Sequence, residues 1–104
     1  MVRQKTIFEE GIDNLQAQIT KLQKEIDKLN NENSGLRKDI DATMKSLANT
    51  PWNEQAEARD DIRYYEASIA TNDKIIKKNL ERIENLRDEI QEHMKLKNPE
   101  RKGR

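Results

Sequence analysis

The chain has 104 residues, of which 38% are charged and 33% hydrophobic, with one Trp, one Phe and two Tyr. So little apolar bulk excludes a conventional globular core but suffices for a narrow apolar seam between solvated helices. Twenty basic and twenty acidic residues cancel, which argues against a chain-wide nucleic-acid binder, and the absence of Cys excludes disulfides, thiolate metal sites and Cys nucleophiles.

The start of the chain has no apolar run that resembles a signal peptide. No segment has the ~20 consecutive apolar residues that are needed to cross a bilayer. We therefore expect a cytoplasmic protein without membrane contact. Three Gly and two Pro leave few positions for turns, which predicts long helices.

The first helix is predicted over residues 6–48, after a short basic arm at residues 1–5. Thr6 and Glu9 have the spacing of a capping box, in which each side chain accepts a backbone hydrogen bond at the helix start. Apolar side chains then recur at alternating steps of four and three, a period typical of a coiled-coil seam. The seam residues are Phe8, Ile12, Leu15, Ile19, Leu22, Ile26, Leu29, Asn33, Leu36, Ile40, Thr43 and Leu47.

The strongest interruption of the chain is at Pro51. Proline suits the first turn of a helix and disfavours helical geometry in the residue before it. We therefore predict a turn at residues 49–50, Thr50 as an N-cap, and a second helix over residues 51–98. Helices joined by so short a turn pack antiparallel. Residues 99–104 are predicted to be a disordered basic tail.

The second helix has a less regular seam, formed by Ala58, Ile62, Tyr65, Ile69, Asn72, Ile76, Asn79, Ile83, Leu86, Ile90 and His93. If the chain folds back at Asn49, the two seams face each other, and Ile positions of one helix lie opposite Leu positions of the other. The apolar pairs are then Phe8 with Ile90, Ile12 with Leu86, Leu15 with Ile83, Leu22 with Ile76, Leu29 with Ile69 and Leu36 with Ile62. Three layers are mixed: Ile19 with Asn79, Ile26 with Asn72, and Asn33 with Tyr65.

The charged flanks agree less well with this register. Arg37 falls near Arg59, and Asp39 falls near Asp61. Such exposed pairs change the free energy of unfolding by only ~0–1 kcal/mol each. The apolar seam is therefore expected to decide the register, and we predict an all-α protein, an antiparallel coiled-coil helical hairpin of two long helices.

Two further architectures remain open. Ile and Leu at their respective seam positions with one Asn are also the pattern of a parallel zipper between two chains. Ile75 and Leu80 lie beside the seam of the second helix, with Met94 and Leu96 further along. They widen the apolar stripe beyond what one partner helix covers. Two hairpins could dimerise into a four-helix bundle, or the stripe could bind another protein.

The chain offers little for catalysis. His93 is its only histidine and, at the end of the seam, is expected to be a solvated helix-end side chain rather than a metal ligand or part of a triad. The carboxylates alternate with Lys and Arg on outward faces, which indicates a solvated surface rather than the cleft that acid–base catalysis needs. We expect no enzyme, no cofactor, no metal and no small-molecule substrate.

Trp52, directly after the predicted turn, has two interpretations. It could pack over Leu47 or Ala48, or it could anchor a partner, since Trp is enriched among binding hot spots. The predicted partner-binding residues are Trp52, Ile75, Leu80 and Met94.

A hairpin also brings its two termini together. The basic tip, defined as Arg3, Lys5, Lys95, Lys97, Arg101, Lys102 and Arg104, would be opposed only by Glu100. Such a tip either keeps the protein in solution or contacts phosphates or an acidic protein surface.

The sequence favours a non-catalytic coiled-coil protein that acts through protein–protein contacts. It would be an adaptor, an assembly or scaffolding factor, or a small inhibitor of a larger partner. The partner would be another protein or a second copy in a homodimer. The alternative is a nucleic-acid-associated accessory protein that uses the basic tip.

Overall fold

The computed structural model describes residues 7–97 and, within them, the side chains of residues 9–95. Two α-helices of 42 residues each, α1 (Ile7–Ala48) and α2 (Ala56–Lys97), are joined by a segment with one 3-10 turn at Trp52–Glu54. The described residues contain no β-strand. The prediction of an all-α protein with two long helices is confirmed.

Helix α1 is continuous through its poorest helical stretch, residues 30–35, where Asn, Ser and Gly are concentrated. Short polar side chains and Gly favour non-helical backbone, at a cost of up to about 1 kcal/mol for Gly relative to Ala. Leu29 and Leu36 flank the stretch and both face the seam, so packing of the apolar face outweighs the weak local propensity. At the helix ends, Glu9 and Lys45 complement the helix dipole.

The helices form two compact units, and each unit contains a part of both helices. The turn unit is Ile26–Lys77, and the terminal unit contains the described residues up to Glu25 and from Lys78 onward. In the turn unit, Leu47 late in α1 contacts Gln55, the residue just before α2, and Asn33 further back in α1 contacts Asn72 further along α2. The order is reversed between the helices, so the turn unit is an antiparallel helical hairpin.

Burial follows the predicted seam. Every predicted seam residue with a described side chain is buried or half-buried in both units. The terminal unit has the more apolar interior, since Leu86 is fully buried and Ile83 is 4% exposed. In the turn unit the most buried side chain is polar: Asn33 is 1% exposed.

Asn33 shows that the predicted register is wrong. Its Oδ1 accepts a hydrogen bond from Asn72 Nδ2 at 2.9 Å, and its Nδ2 donates to Asp73 Oδ1 at 2.9 Å. Tyr65, the predicted neighbour of Asn33, is one heptad earlier on α2. In the observed register Leu36 is opposite Ile69, so the predicted pairing within the turn unit is displaced by one heptad.

The terminal unit has the same displacement. The imidazole of His93 lies against Gly11, at a distance where a Cβ on Gly11 would be 3.3 Å from His93 Cε1. The predicted pairing of Ile12 with Leu86 would have placed His93 well beyond Gly11. His93 is half-buried, and its Nδ1 has no hydrogen-bond partner among the described residues, so the expectation of a solvated side chain is wrong.

The two helical glycines differ in their surroundings, which gives a paired stability prediction. Gly35→Ala is expected to raise the free energy of unfolding by about 1 kcal/mol, because the new methyl group meets nothing within 4 Å. Gly11→Ala should raise the free energy of unfolding much less, because the imidazole of His93 must move aside. Chemical denaturation followed by circular dichroism measures both changes. In a chain that already carries His93→Ala, Gly11→Ala should stabilise the protein as much as Gly35→Ala does. Equal gains from the two single substitutions would show that His93 does not pack on Gly11.

Candidate protein interaction site

The connection between the helices is longer than predicted. The chain leaves α1 at Ala48, and α2 begins at Ala56 rather than at Pro51. Pro51 has φ −56° and ψ 144°, an extended conformation, and its carbonyl accepts a hydrogen bond from Glu54 N at 2.9 Å to close the 3-10 turn. Thr50 does not cap a following helix: its Oγ1 donates back to Ser46 O at 2.7 Å. These extra residues account for the one-heptad displacement, because the point of reversal moves further along the chain.

Gln55 holds this connection closed. Its Nε2 donates to Thr50 O in the connection at 3.0 Å and to Leu47 O at 3.4 Å, so one of the last carbonyls of α1 gains a side-chain donor. Its Oε1 accepts a hydrogen bond from Arg59 Nη2 at 2.9 Å, and its backbone carbonyl accepts from Arg59 N at 3.0 Å. One amide side chain therefore ties the end of α1 to the first turn of α2. We call this arrangement of Gln55, Arg59 and the two carbonyls the turn clamp.

Trp52 is attached to the turn clamp and is open to solvent. Its side chain is 75% exposed, so it does not pack over Leu47 or Ala48 as a buried staple. The guanidinium of Arg59 lies over the indole, with Cζ 4.7 Å from the ring centroid, a cation–π distance. Because Gln55 also holds that guanidinium, the clamp orients the indole without burying it.

The other predicted partner-binding residues are exposed but do not form one stripe. The exposed fractions are 37% for Ile75, 53% for Leu80 and 48% for Met94. Ile75 and Leu80 are five residues apart on α2, which places them about 140° apart around the helix axis. Ile75 belongs to the turn unit, whereas Leu80 and Met94 belong to the terminal unit. Ile75 and Leu80 therefore lie on the two sides of the α2 seam, and the prediction that these three residues bind a partner stays a prediction.

The sequence analysis missed several residues that shape this surface. Gln55 and Arg59 form the clamp, and their spacing of four residues at the start of a helix was the available signal. Tyr64 is 68% exposed and Met44 is 50% exposed.

Most of the predicted basic tip lies outside the described side chains. These residues are Arg3, Lys5, Lys97, Arg101, Lys102 and Arg104. The one that is described, Lys95, places its Nζ 3.6 Å from Glu92 Oε1, and both side chains are more than half exposed. An exposed pair of this kind contributes ~0–1 kcal/mol to stability.

Residues 7–97 contain no group of three or more His, Cys, Asp or Glu side chains placed to hold a metal ion. Within the same residues, neither helix has an apolar segment long enough to span a bilayer. No family model, curated protein or solved structure matches the chain. The candidate site is therefore defined by its own geometry: an indole held in solvent at the turn by the turn clamp.

Proposed function

We propose that this protein is a non-catalytic coiled-coil hairpin that acts through protein–protein contacts, with Trp52 as its anchor. It would serve as an adaptor, an assembly or scaffolding factor, or a small inhibitor of a larger partner. The observation that carries the proposal is an indole at Trp52 that is 75% exposed and has the Arg59 guanidinium 4.7 Å from its ring centroid.

The exposure of Trp52 means that its apolar surface is available for binding. Burying a large apolar side chain stabilises a protein or a complex by roughly 1.5–3 kcal/mol, and three quarters of this side chain is still in water. Within its own fold, Trp52 therefore contributes little through burial. A partner with an apolar pocket would gain most of that stabilisation.

The orientation of Trp52 lowers the cost of using it. Immobilising a side chain at an interface costs about 0.5–1.5 kcal/mol, and a side chain that is ordered beforehand avoids much of this cost. Arg59 lies over one face of the indole and is itself hydrogen-bonded to Gln55. This arrangement is typical of a binding hot spot, where Trp and Arg are the most enriched residues.

The coiled-coil part of the proposal is supported by burial and by polar pairing. The buried positions follow the heptad period in both helices, and Asn33 meets Asn72 across the seam. A polar pair at this kind of position is a known device for fixing register in coiled coils. A helical hairpin with its anchor at the turn is suited to holding a partner at that end.

Trp52→Ala is expected to abolish partner binding while changing the free energy of unfolding by less than about 0.5 kcal/mol. The test is affinity capture from an extract of the cells that make the protein, with the captured proteins quantified by mass spectrometry. At least one protein should be lost with Trp52→Ala and retained with Tyr64→Ala, a matched exposed aromatic control. The emission of Trp52, the only Trp of the chain, should shift to shorter wavelength when that protein is added.

Arg59→Ala separates the role of orientation from that of contact. It leaves the indole in place but frees it, so we expect binding weakened several-fold rather than abolished. Circular dichroism of each variant confirms that the helices are intact. If no captured protein depends on Trp52 in folded variants, the proposal is wrong.

A further inference from the structure

One face of α2 carries a second regular stripe, separate from the seam. Its central residues are Tyr64, Ser68, Thr71 and Ile75, spaced by four, three and four residues, so they lie within a narrow arc of the helix. Tyr64, Thr71 and Ile75 are exposed, and Ser68 is half-buried. We call these four residues the α2 stripe.

The α2 stripe has large residues at its ends and small residues in its middle. Tyr64 is 68% exposed, and its ring lies edge-on to that of Tyr65 with 6.0 Å between centroids, which restrains it. Beside it, Ser68 and Thr71 line a groove of about 260 Å³. Small side chains let a second helix approach closely, while the large ones at the ends can enclose it.

Charged residues lie on the same face of α2, before and after the α2 stripe. Asp61 lies three residues before Tyr64, and Lys78 lies three residues after Ile75. One step further along the same helical face are Glu57 and Arg82. All four side chains are exposed, and none forms an ion pair with a described residue. The face is therefore acidic before the α2 stripe and basic after it.

This order makes the face self-complementary. If a second copy of α2 lies antiparallel on it, Tyr64 meets Ile75 of that copy and Ser68 meets Thr71. The same alignment places Asp61 opposite Lys78 and Glu57 opposite Arg82, in both halves at once. A parallel alignment would place acid on acid and base on base. Matching of one surface patch with its own copy through a two-fold axis is the requirement for a closed homodimer.

We infer that the α2 stripe is a homodimer interface, at which a second copy of this chain pairs antiparallel with α2. The inference goes beyond the proposed function, because it assigns a second copy of this chain to a surface of α2 away from the turn. It assigns Trp52 no part in this contact. The hairpin would thus present two surfaces: the stripe for self-association and the turn for another protein.

Charge exchange across the two-fold axis tests the inference. Asp61→Lys places Lys opposite Lys78, and Lys78→Asp places Asp opposite Asp61, each twice per dimer. Two attractive pairs become two repulsive ones, so each single variant should weaken the dimer roughly ten- to hundredfold. The double variant Asp61→Lys, Lys78→Asp restores opposite charges and should regain the dimer. Sedimentation equilibrium of the full chain measures the dissociation constant.

Disulfide formation tests the alignment, since the chain has no Cys. A mixture of the Ser68→Cys chain with the Thr71→Cys chain should oxidise mainly to the mixed dimer, because these positions face each other only in the antiparallel alignment. A parallel pairing would link like variants instead. Leu80→Lys, on another flank of α2, is the control and should leave the dissociation constant unchanged.

The outcomes distinguish this inference from the Trp52 proposal. A monomer at every concentration overturns the α2 stripe interface, as does a dimer that Leu80→Lys breaks, or one that the two charge variants leave intact. None of these results bears on Trp52-dependent capture. Conversely, Trp52→Ala should leave the mass of the dimer unchanged. A failed capture experiment would therefore not contradict the inference that the α2 stripe is a homodimer interface.

Discussion

Replacing Leu86 with alanine is expected to lower the free energy of unfolding by about 3 kcal/mol, within the ~2–5 kcal/mol range of such truncations in cores. Leu86 is fully buried, and it is the most buried apolar side chain described. Its removal leaves a cavity between two helices that have few other large side chains to close it. Since small domains are stable by only ~5–15 kcal/mol, this loss should be evident in a urea unfolding curve.

Leu80→Ala is the matched control for this prediction. It removes the same atoms from the same helix and the same compact unit, but its side chain is 53% exposed. We expect a change within about 0.5 kcal/mol. Equal losses from the two substitutions would mean that Leu86 is not part of a packed interior.

Asn33→Ala is expected to lower the free energy of unfolding by about 2 kcal/mol. Asn33 is 1% exposed, and its removal deprives the Asn72 amide of its acceptor in the interior. Leaving a buried polar group unpaired costs about 1–3 kcal/mol. Asn31→Ala, at an exposed Asn of the same helix, should lower the free energy of unfolding only slightly. Thermal unfolding followed by circular dichroism compares the two variants.

The double variant Asn33→Leu, Asn72→Leu separates stability from register. It replaces the polar pair with apolar residues, so the variant should be at least as stable as the parent, but alignments one heptad apart become similar in energy. Spin labels at Arg37→Cys and Glu66→Cys then measure the register. A slip of one heptad moves the helices by about 10 Å, so the variant should show two distance populations. One unchanged distance would show that the asparagines do not set the register.

Long helices and their buried face could be predicted because large apolar side chains at a 3.5-residue period leave few alternatives. Every described seam residue, from Ile12 to His93, is buried or half-buried. The register could not be obtained in the same way. A heptad repeat matches itself after a shift of one heptad, so Ile meets Leu in the predicted and in the observed alignment alike.

Weaker signals in the sequence distinguish the two alignments. The predicted one placed Arg37 near Arg59 and Asp39 near Asp61. A shift of one heptad, as the Asn33–Asn72 hydrogen bond requires, instead pairs the Arg37 position with the Glu66 position. It also brings the two seam asparagines of the turn unit together, which satisfies both amides. Taken together, charge pairs and polar pairing decide between alignments that the apolar seam leaves nearly equal.

The candidate site was only partly predictable. The indole of Trp52 was identified as a potential anchor because it is the only Trp and lies near the turn. The contacts of Arg59 and Gln55 that hold the indole could not be predicted. Proline is common as the first residue of a helix, and nothing in the sequence indicates the extended ψ of 144° at Pro51. The interaction of Arg59 with Gln55 depends on that backbone path, which no periodicity encodes.

The turn clamp joins residues that are close in sequence, and this affects how the protein is made. Its hydrogen bonds span four, five and eight residues, and the last residue it needs is Arg59. Closing a loop of about ten residues takes ~10–100 ns, whereas translation adds only ~5–20 residues per second. Closing the clamp therefore takes far less time than adding one residue to the chain, so once Arg59 is free of the ribosome the clamp can set the alignment on which the remainder of α2 packs.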